Sequence, residues 1–253
     1  MSNFLGGITM AFNPTALQPP TQKPKPVILL LDVSGSMKGS KIETLNDAVK
    51  TMIDVFCKEM ESSETLVYQV AIFTFGELIE LHTPYTPVDE LKAKGISHFQ
   101  ARGGTPLGYV LKQAKSMIED KNVTKGMKVP AVILVSDGRP DQPSSHDDWR
   151  EDLRAFIDDG RSSKSERYGI PIGRDADRSV MEQFAPKENI YEAENAEDIV
   201  RAFKMVSMSV STKARASSVA SVPKADVSMD GRPASKPVTS NSNNSGDDDG
   251  LEW

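Results

Sequence analysis

The sequence predicts an α/β fold: a Rossmann-like, doubly wound, mostly parallel central sheet with helices on both faces and one antiparallel edge strand. Three observations carry this. Continuous apolar runs such as VILLLDV and VPAVILVS are the pattern of strands covered on both faces. Segments between the runs repeat apolar residues at helical spacing. Strands and helices alternate, which implies right-handed crossovers and parallel pairing.

Residues 1–26, rich in Pro, Thr and Asn and closing on QPPTQKPKP, read as an extended, polyproline-like arm. Residues 27–33 form the first strand. The next helix is expected to start at a capping box, Ser40 with Glu43, and to bury Ile42, Leu45, Val49, Met52, Ile53, Phe56 and Met60 on one face. Cys57 borders that face as a small buried hydrophobe. Residues 66–76, rich in β-branched and aromatic side chains, are the second strand, with ELIELHT as its hairpin partner. GGTPLGYVLKQAKSMIED opens a helix with Thr105 at the cap and Pro106 at the first helical position. Leu107, Val110, Leu111, Ala114, Met117 and Ile118 supply its buried face.

VPAVILVSDGRP is another buried strand, ending in Ser136, Asp137 and Gly138. Residues 147–157 read as helical, with Trp149 as a packing residue. Residues 167–173 read as a strand weakened by Pro171, 179–184 as a short helix, and 189–192 as a short edge strand. Residues 196–208 form the closing helix. The folded domain is thus expected at 27–211. Residues 212–253, dominated by Ser, Asn, Pro and Asp, are expected to be a disordered tail, because they hold too little apolar surface to offset the entropy of ordering.

Composition narrows the function. A formal charge of −6 argues against a nucleic-acid surface, which carries a basic stripe. A single cysteine excludes an internal disulfide framework. No run approaches the roughly 20 apolar residues of a membrane span, and the first residues lack the basic lead and apolar block of a signal peptide. A cytoplasmic location is expected.

In parallel sheets, ligands bind beyond the carboxyl ends of the strands. The polar groups expected there are Asp32, Ser34, Ser36, Thr105 and Asp137. All are hard oxygen donors, with no imidazole or thiolate, which favours Mg²⁺ or Mn²⁺ over zinc. Two carboxylates balance a divalent charge, and such an ion accepts an anionic ligand from outside. His82, His98 and His146 have no metal-ligand spacing and read as surface or loop residues. The glycines of ARGGTPLG lack the Gly-Lys-Ser/Thr ending of a phosphate loop, and no Gly-x-Ser-x-Gly elbow is present.

Asp-x-Ser-Gly-Ser at 32–36, Gly-Gly-Thr-Pro-Leu at 103–107 and Ser-Asp-Gly at 136–138 resemble the metal-ion-dependent adhesion site of von Willebrand factor type A domains. The resemblance covers residues 27 to about 208. It implies that Ser34, Ser36 and Thr105 contact the metal, and that Asp32 and Asp137 act through water and through hydrogen bonds to the hydroxyls. It further implies a binding module, not an enzyme, whose ion captures a carboxylate of a protein partner.

Within that family, PVILLLDVSGSMKGSKIETLNDAV, GGTPLG and VILVSDGRPDQ look similar to bacterial cytoplasmic TerY-like proteins of tellurite-resistance and stress-response clusters. That resemblance implies a Ser/Thr kinase and phosphatase of the same gene cluster as partners. Two rivals stand beside it. One is an adaptor subunit for a chelatase or MoxR-type ATPase. The other is a metal-dependent hydrolase, which needs a general base beside the ion; the sequence offers none besides the ligands themselves. The closing acidic run, Asp247, Asp248 and Asp249 followed by Leu251 and Trp253, is either solvated or a docking motif.

Overall fold

The computed structural model describes residues 22–63, 66–141, 148–174 and 176–220. Residues 1–21 of the expected arm (1–26), His146 and the tail from residue 221 lie outside them, and Lys25 and Pro26, expected in the arm, belong to the first strand.

Five strands form one sheet in the order β3-β2-β1-β4-β5: β1 Lys25–Asp32, β2 Tyr68–Phe75, β3 Ile79–Pro87, β4 Ala131–Ser136 and β5 Glu166–Pro171. All pairs are parallel except β2 with β3, the expected antiparallel edge. Every residue of β1 is buried, as its unbroken apolar run requires. Its side chains alternate between two cores. Val27, Leu29 and Leu31 join the cluster that includes Phe56 of helix α1 (Ser40–Glu61) and Phe203 of the closing helix. Ile28 and Leu30 join the cluster that includes Val110 of helix α3 (Leu107–Glu119) and Phe156 of helix α5 (Trp149–Asp158). At about 25 cal/mol per Å² of apolar surface, this two-sided burial dominates the stability of the sheet.

Several local expectations need correction. Helix α1 begins at Ser40 itself, with Gly39 as its cap and no side-chain capping bond, so Ser40 and Glu43 form no capping box. Thr105 does not cap α3: Pro106, at φ −78° and ψ 65°, stays outside the helix, which starts at Leu107. Residues 189–192 form no strand and contribute the isolated parallel bridge Gly169–Ile190; Ile172 and Ala193 form a second. Two short helices were not foreseen, α2 at Val88–Lys94 and α4 at Lys121–Thr124; α6 at Arg178–Phe184 is the expected short helix.

The closing helix, α7, runs from Ala196 to Ala220, well past both residue 208 and the expected domain end at 211. Beyond that end, Ala214 is fully buried and its carbonyl accepts a hydrogen bond from Lys128 Nζ at 3.2 Å. Tyr68 of β2 donates from its hydroxyl to Ser211 at 3.0 Å, tying α7 to the sheet. Burial pushes the Tyr68 phenol up to about 12, against the opposing pull of that hydrogen bond.

Candidate metal centre

The carboxyl ends of β1 and β4 lie side by side, with Leu31 opposite Val135. Asp32 therefore closes β1 beside Ser136 at the end of β4. Buried Asp32 receives the Ser34 backbone N–H at Oδ1 (2.8 Å) and the Ser136 hydroxyl at Oδ2. These two bonds fix the turn after β1, a single 3₁₀ turn at Gly35–Met37. The turn presents Ser34 and Ser36 with their hydroxyl oxygens 2.9 Å apart.

Asp137, next after β4, accepts the Ser36 hydroxyl at Oδ1 (2.6 Å) and pairs with Lys41 Nζ through Oδ2. Thr105 arrives on a third segment. Gly103, at φ +81°, accepts the Gly35 N–H at 2.9 Å, and the Arg102 N–H donates to the Val33 carbonyl at 2.7 Å, so this loop is stitched to the turn after β1. Thr105 and Asp141 then exchange bonds: the Thr105 N–H donates to Asp141 Oδ1 (2.9 Å) and the Asp141 N–H to the Thr105 carbonyl (3.0 Å).

The arrangement brings all five expected residues to one sheet edge. Asp32, Ser34, Thr105 and Asp137 are buried, and Ser36 is exposed at the mouth. A Cβ added to Gly138 would lie 3.6 Å from both Ser36 Oγ and Thr105 Oγ1, so the hydroxyls of the first and third segments flank one point beside Asp137. Because Thr105 is not spent on capping α3, its hydroxyl faces this point. Hydroxyls and carboxylates around a common point fit a small hard divalent cation. Among the described residues no group of three or more His, Cys, Asp or Glu side chains offers an alternative metal site. Burial pushes the Asp32 carboxyl up to about 6, opposed by its bonds to Ser136 and Ser34 and reinforced by the charge of Asp137. A nearby cation would favour its ionised form.

The roles of three neighbouring residues were not legible in the sequence, where Ser136 stands only as part of the Ser-Asp-Gly motif and Asp141 and Lys41 are not singled out. Ser136 locks Asp32, Asp141 locks Thr105, and Lys41 pairs with Asp137. Of the histidines, His98 is exposed, while His82 is half-buried against Phe99 with ring centroids 4.8 Å apart. Neither touches the cluster. Among the described residues no helix is long and apolar enough to cross a membrane.

Comparison with known proteins follows the same lines. Residues 27–139 match the family model described as the von Willebrand factor type A domain. A search of curated proteins finds no match. Among solved structures, a von Willebrand factor type A protein from Catenulispora acidiphila aligns with TM-score 0.60 at 17% identity, over 75% of this chain and 43% of that one. Proximal thread matrix protein 1 from the mussel byssus, with a zinc-occupied MIDAS motif, aligns with TM-score 0.58 at 17% identity, over 73% and 47%. The pilus adhesin SpaC from Lactobacillus rhamnosus GG aligns with TM-score 0.58 at 15% identity, over 77% and 31%. This chain thus spans less than half the length of each of the three. The match over residues 27–139 and these likenesses agree with the strand order and the three converging segments: the chain carries a von Willebrand factor type A fold.

Proposed function

We propose that this protein is a cytoplasmic binding module that holds Mg²⁺ or Mn²⁺ with Asp32, Ser34, Ser36, Thr105 and Asp137, and uses the ion to capture an Asp or Glu carboxylate of a protein partner. The observation that carries the reading is the convergence of three distant segments on one point: Ser36 bonded to Asp137 across the sheet edge, with Thr105 facing the same place. Ser34, Ser36 and Thr105 would touch the ion, while Asp32 and Asp137 supply the negative charge and hold the hydroxyls in position. Hard ions keep part of their coordination shell for water or an incoming oxygen, which is how a carboxylate would be captured. The zinc-occupied site of the mussel protein and the adhesin among the structural neighbours support a metal-based interaction role. The TerY-like segments point to a stress-response or tellurite-resistance setting, with a Ser/Thr kinase and phosphatase as partners.

The test is calorimetric titration of the full chain with MgCl₂ and MnCl₂. Wild type should bind one ion. Asp137→Ala should bind none while its unfolding transition remains cooperative, since the residue lies beyond the strand end and outside both cores. Unchanged ion binding in that variant would sink the assignment. Binding of a purified kinase or phosphatase in Mg²⁺ that persists in EDTA would remove the carboxylate-capture step.

A further inference from the structure

One of the two carboxylates of the candidate site, Asp137, is already engaged by a cation of the protein itself. Lys41 stands in the first turn of α1, five residues after Ser36, on the segment that carries both serines. Its ammonium pairs with Asp137 Oδ2, while Oδ1 takes the Ser36 hydroxyl at 2.6 Å. The Asp137 side chain is fully buried, whereas the Lys41 side chain is 36% exposed. The pair is therefore a buried anion whose counter-charge reaches in from solvent on a flexible stem. Gly173, after β5, borders this stem: an added Cβ there would lie 3.5 Å from Lys41 Nζ. On the same side Lys41 lines a cleft of about 160 Å³ together with Thr44, Gly173 and Glu194. The Glu194 carboxylate of that cleft is paired with Arg174 at 3.1 Å, so the cleft already holds a charged pair beside the stem.

We infer that Lys41 is a built-in competitor of the divalent ion, and that its pairing with Asp137 sets how tightly the metal is held. The inference rests on the metal-binding reading above. Two cations cannot both have the full use of one carboxylate: a divalent ion beside Ser36 and Asp137 is repelled by the ammonium and gains less from a charge already neutralised. The coupling is reciprocal, so the ion must weaken the Lys41–Asp137 pair by the factor by which that pair weakens the ion. The device keeps Asp137 neutralised in its buried position when no metal is bound, and makes the site release its ion readily.

The experiment compares the full-length wild type, Lys41→Met and Lys41→Arg by titration with MgCl₂ and MnCl₂. Lys41→Met keeps the stem's bulk but lacks the charge, and should bind the ion at least about fivefold more tightly, the lower end of ordinary coupling between sites. Lys41→Arg, which retains the charge, should stay near wild type. In EDTA, Lys41→Met should melt below wild type, because Asp137 loses its counter-charge; saturating Mg²⁺ should close or reverse that gap. Tighter binding by Lys41→Met supports the competition, including the case in which wild type binds too weakly to measure. If wild type binds and Lys41→Met binds equally or more weakly, the competition is wrong while the metal reading survives. If neither binds, the metal reading fails and takes this inference with it.

Discussion

Gly103 offers a controlled test of whether the third segment is held by backbone fit. Its φ of +81° is nearly that of Gly95, at +75°, which follows helix α2. The surroundings differ. A Cβ on Gly95 meets nothing within 4 Å, whereas one on Gly103 would sit 2.2 Å from the Glu77 backbone nitrogen and 2.3 Å from its Cα. Alanine at Gly95, at φ +75° and ψ 167°, should therefore cost only its strained backbone conformation, about 1–3 kcal/mol. Alanine at Gly103 carries a positive-φ cost of its own, about 1 kcal/mol, plus a backbone displacement of roughly 1 Å to reach an allowed contact. That shift strains the Gly35-to-Gly103 and Glu77-to-Arg102 hydrogen bonds, both 2.9 Å, each worth about 1 kcal/mol. The total at Gly103 is about 3 kcal/mol, of which the two strained bonds are about 2 kcal/mol. Urea denaturation of the two single variants reads each loss directly. Calorimetric titration with Mg²⁺ should show affinity falling at least about tenfold in Gly103→Ala, because Thr105 moves with the loop, and unchanged in Gly95→Ala. Destabilisation of Gly103→Ala by less than about 2 kcal/mol, or full affinity in that variant, would refute the argument.

Two further predictions concern buried polar groups away from the site. Lys25, 3% exposed in its side chain, donates to Glu166 at 2.6 Å and to the Val129 carbonyl at 2.8 Å, and its pKa is lowered by burial. Glu166→Gln leaves that ammonium without a counter-charge and should cost about 3 kcal/mol by chemical denaturation, while the double change Lys25→Met with Glu166→Gln should recover most of it. The Tyr68 phenol, with its folded pKa raised above the unfolded value of 10.0, contributes stability that is fully present below pH 10 and is lost as pH rises towards 12. Denaturation at pH 9 and pH 11 should show that Tyr68→Phe loses about 1 kcal/mol at the lower pH, from the missing bond to Ser211, and that its slope above pH 10 is shallower than wild type.

The readable parts of the sequence were those where one physical signal dominates. Strand β1 is apolar on both faces, so its burial and its central place follow from composition alone. Helix α1 repeats large apolar residues along one face; Leu45, Val49, Met52, Ile53 and Phe56 are buried, while Ile42 and Met60 at its ends are half-buried. The end of α7 was not legible, because its buried face there is made of Ser207, Val210, Ser211 and Ala214; small and hydroxylated side chains give little hydrophobic contrast. Helix α2 offers only Val88 and Leu91 to the core. The cap of α3 was misplaced because Thr-Pro is a common helix start, whereas here Asp141, 36 residues away, takes the Thr105 N–H. In the candidate site the oxygen donors were visible as residue types. Lys41 was not, since a lysine near a helix start reads as solvated until the fold places a buried carboxylate above it.

The separation of the three converging segments has a consequence for how the protein is made. Ser36 and Asp137 meet across 101 positions of chain, and Ser136 and Asp32 across 104. Pairing of this range is slow and entropically late compared with a local helix or the β2–β3 hairpin. During synthesis, α1 and that hairpin emerge first. The cluster cannot assemble until β4 and Asp141 have left the ribosome. Divalent metal therefore cannot guide the early steps of folding, and a nascent chain halted before β4 would display both serines without the carboxylate that completes their site.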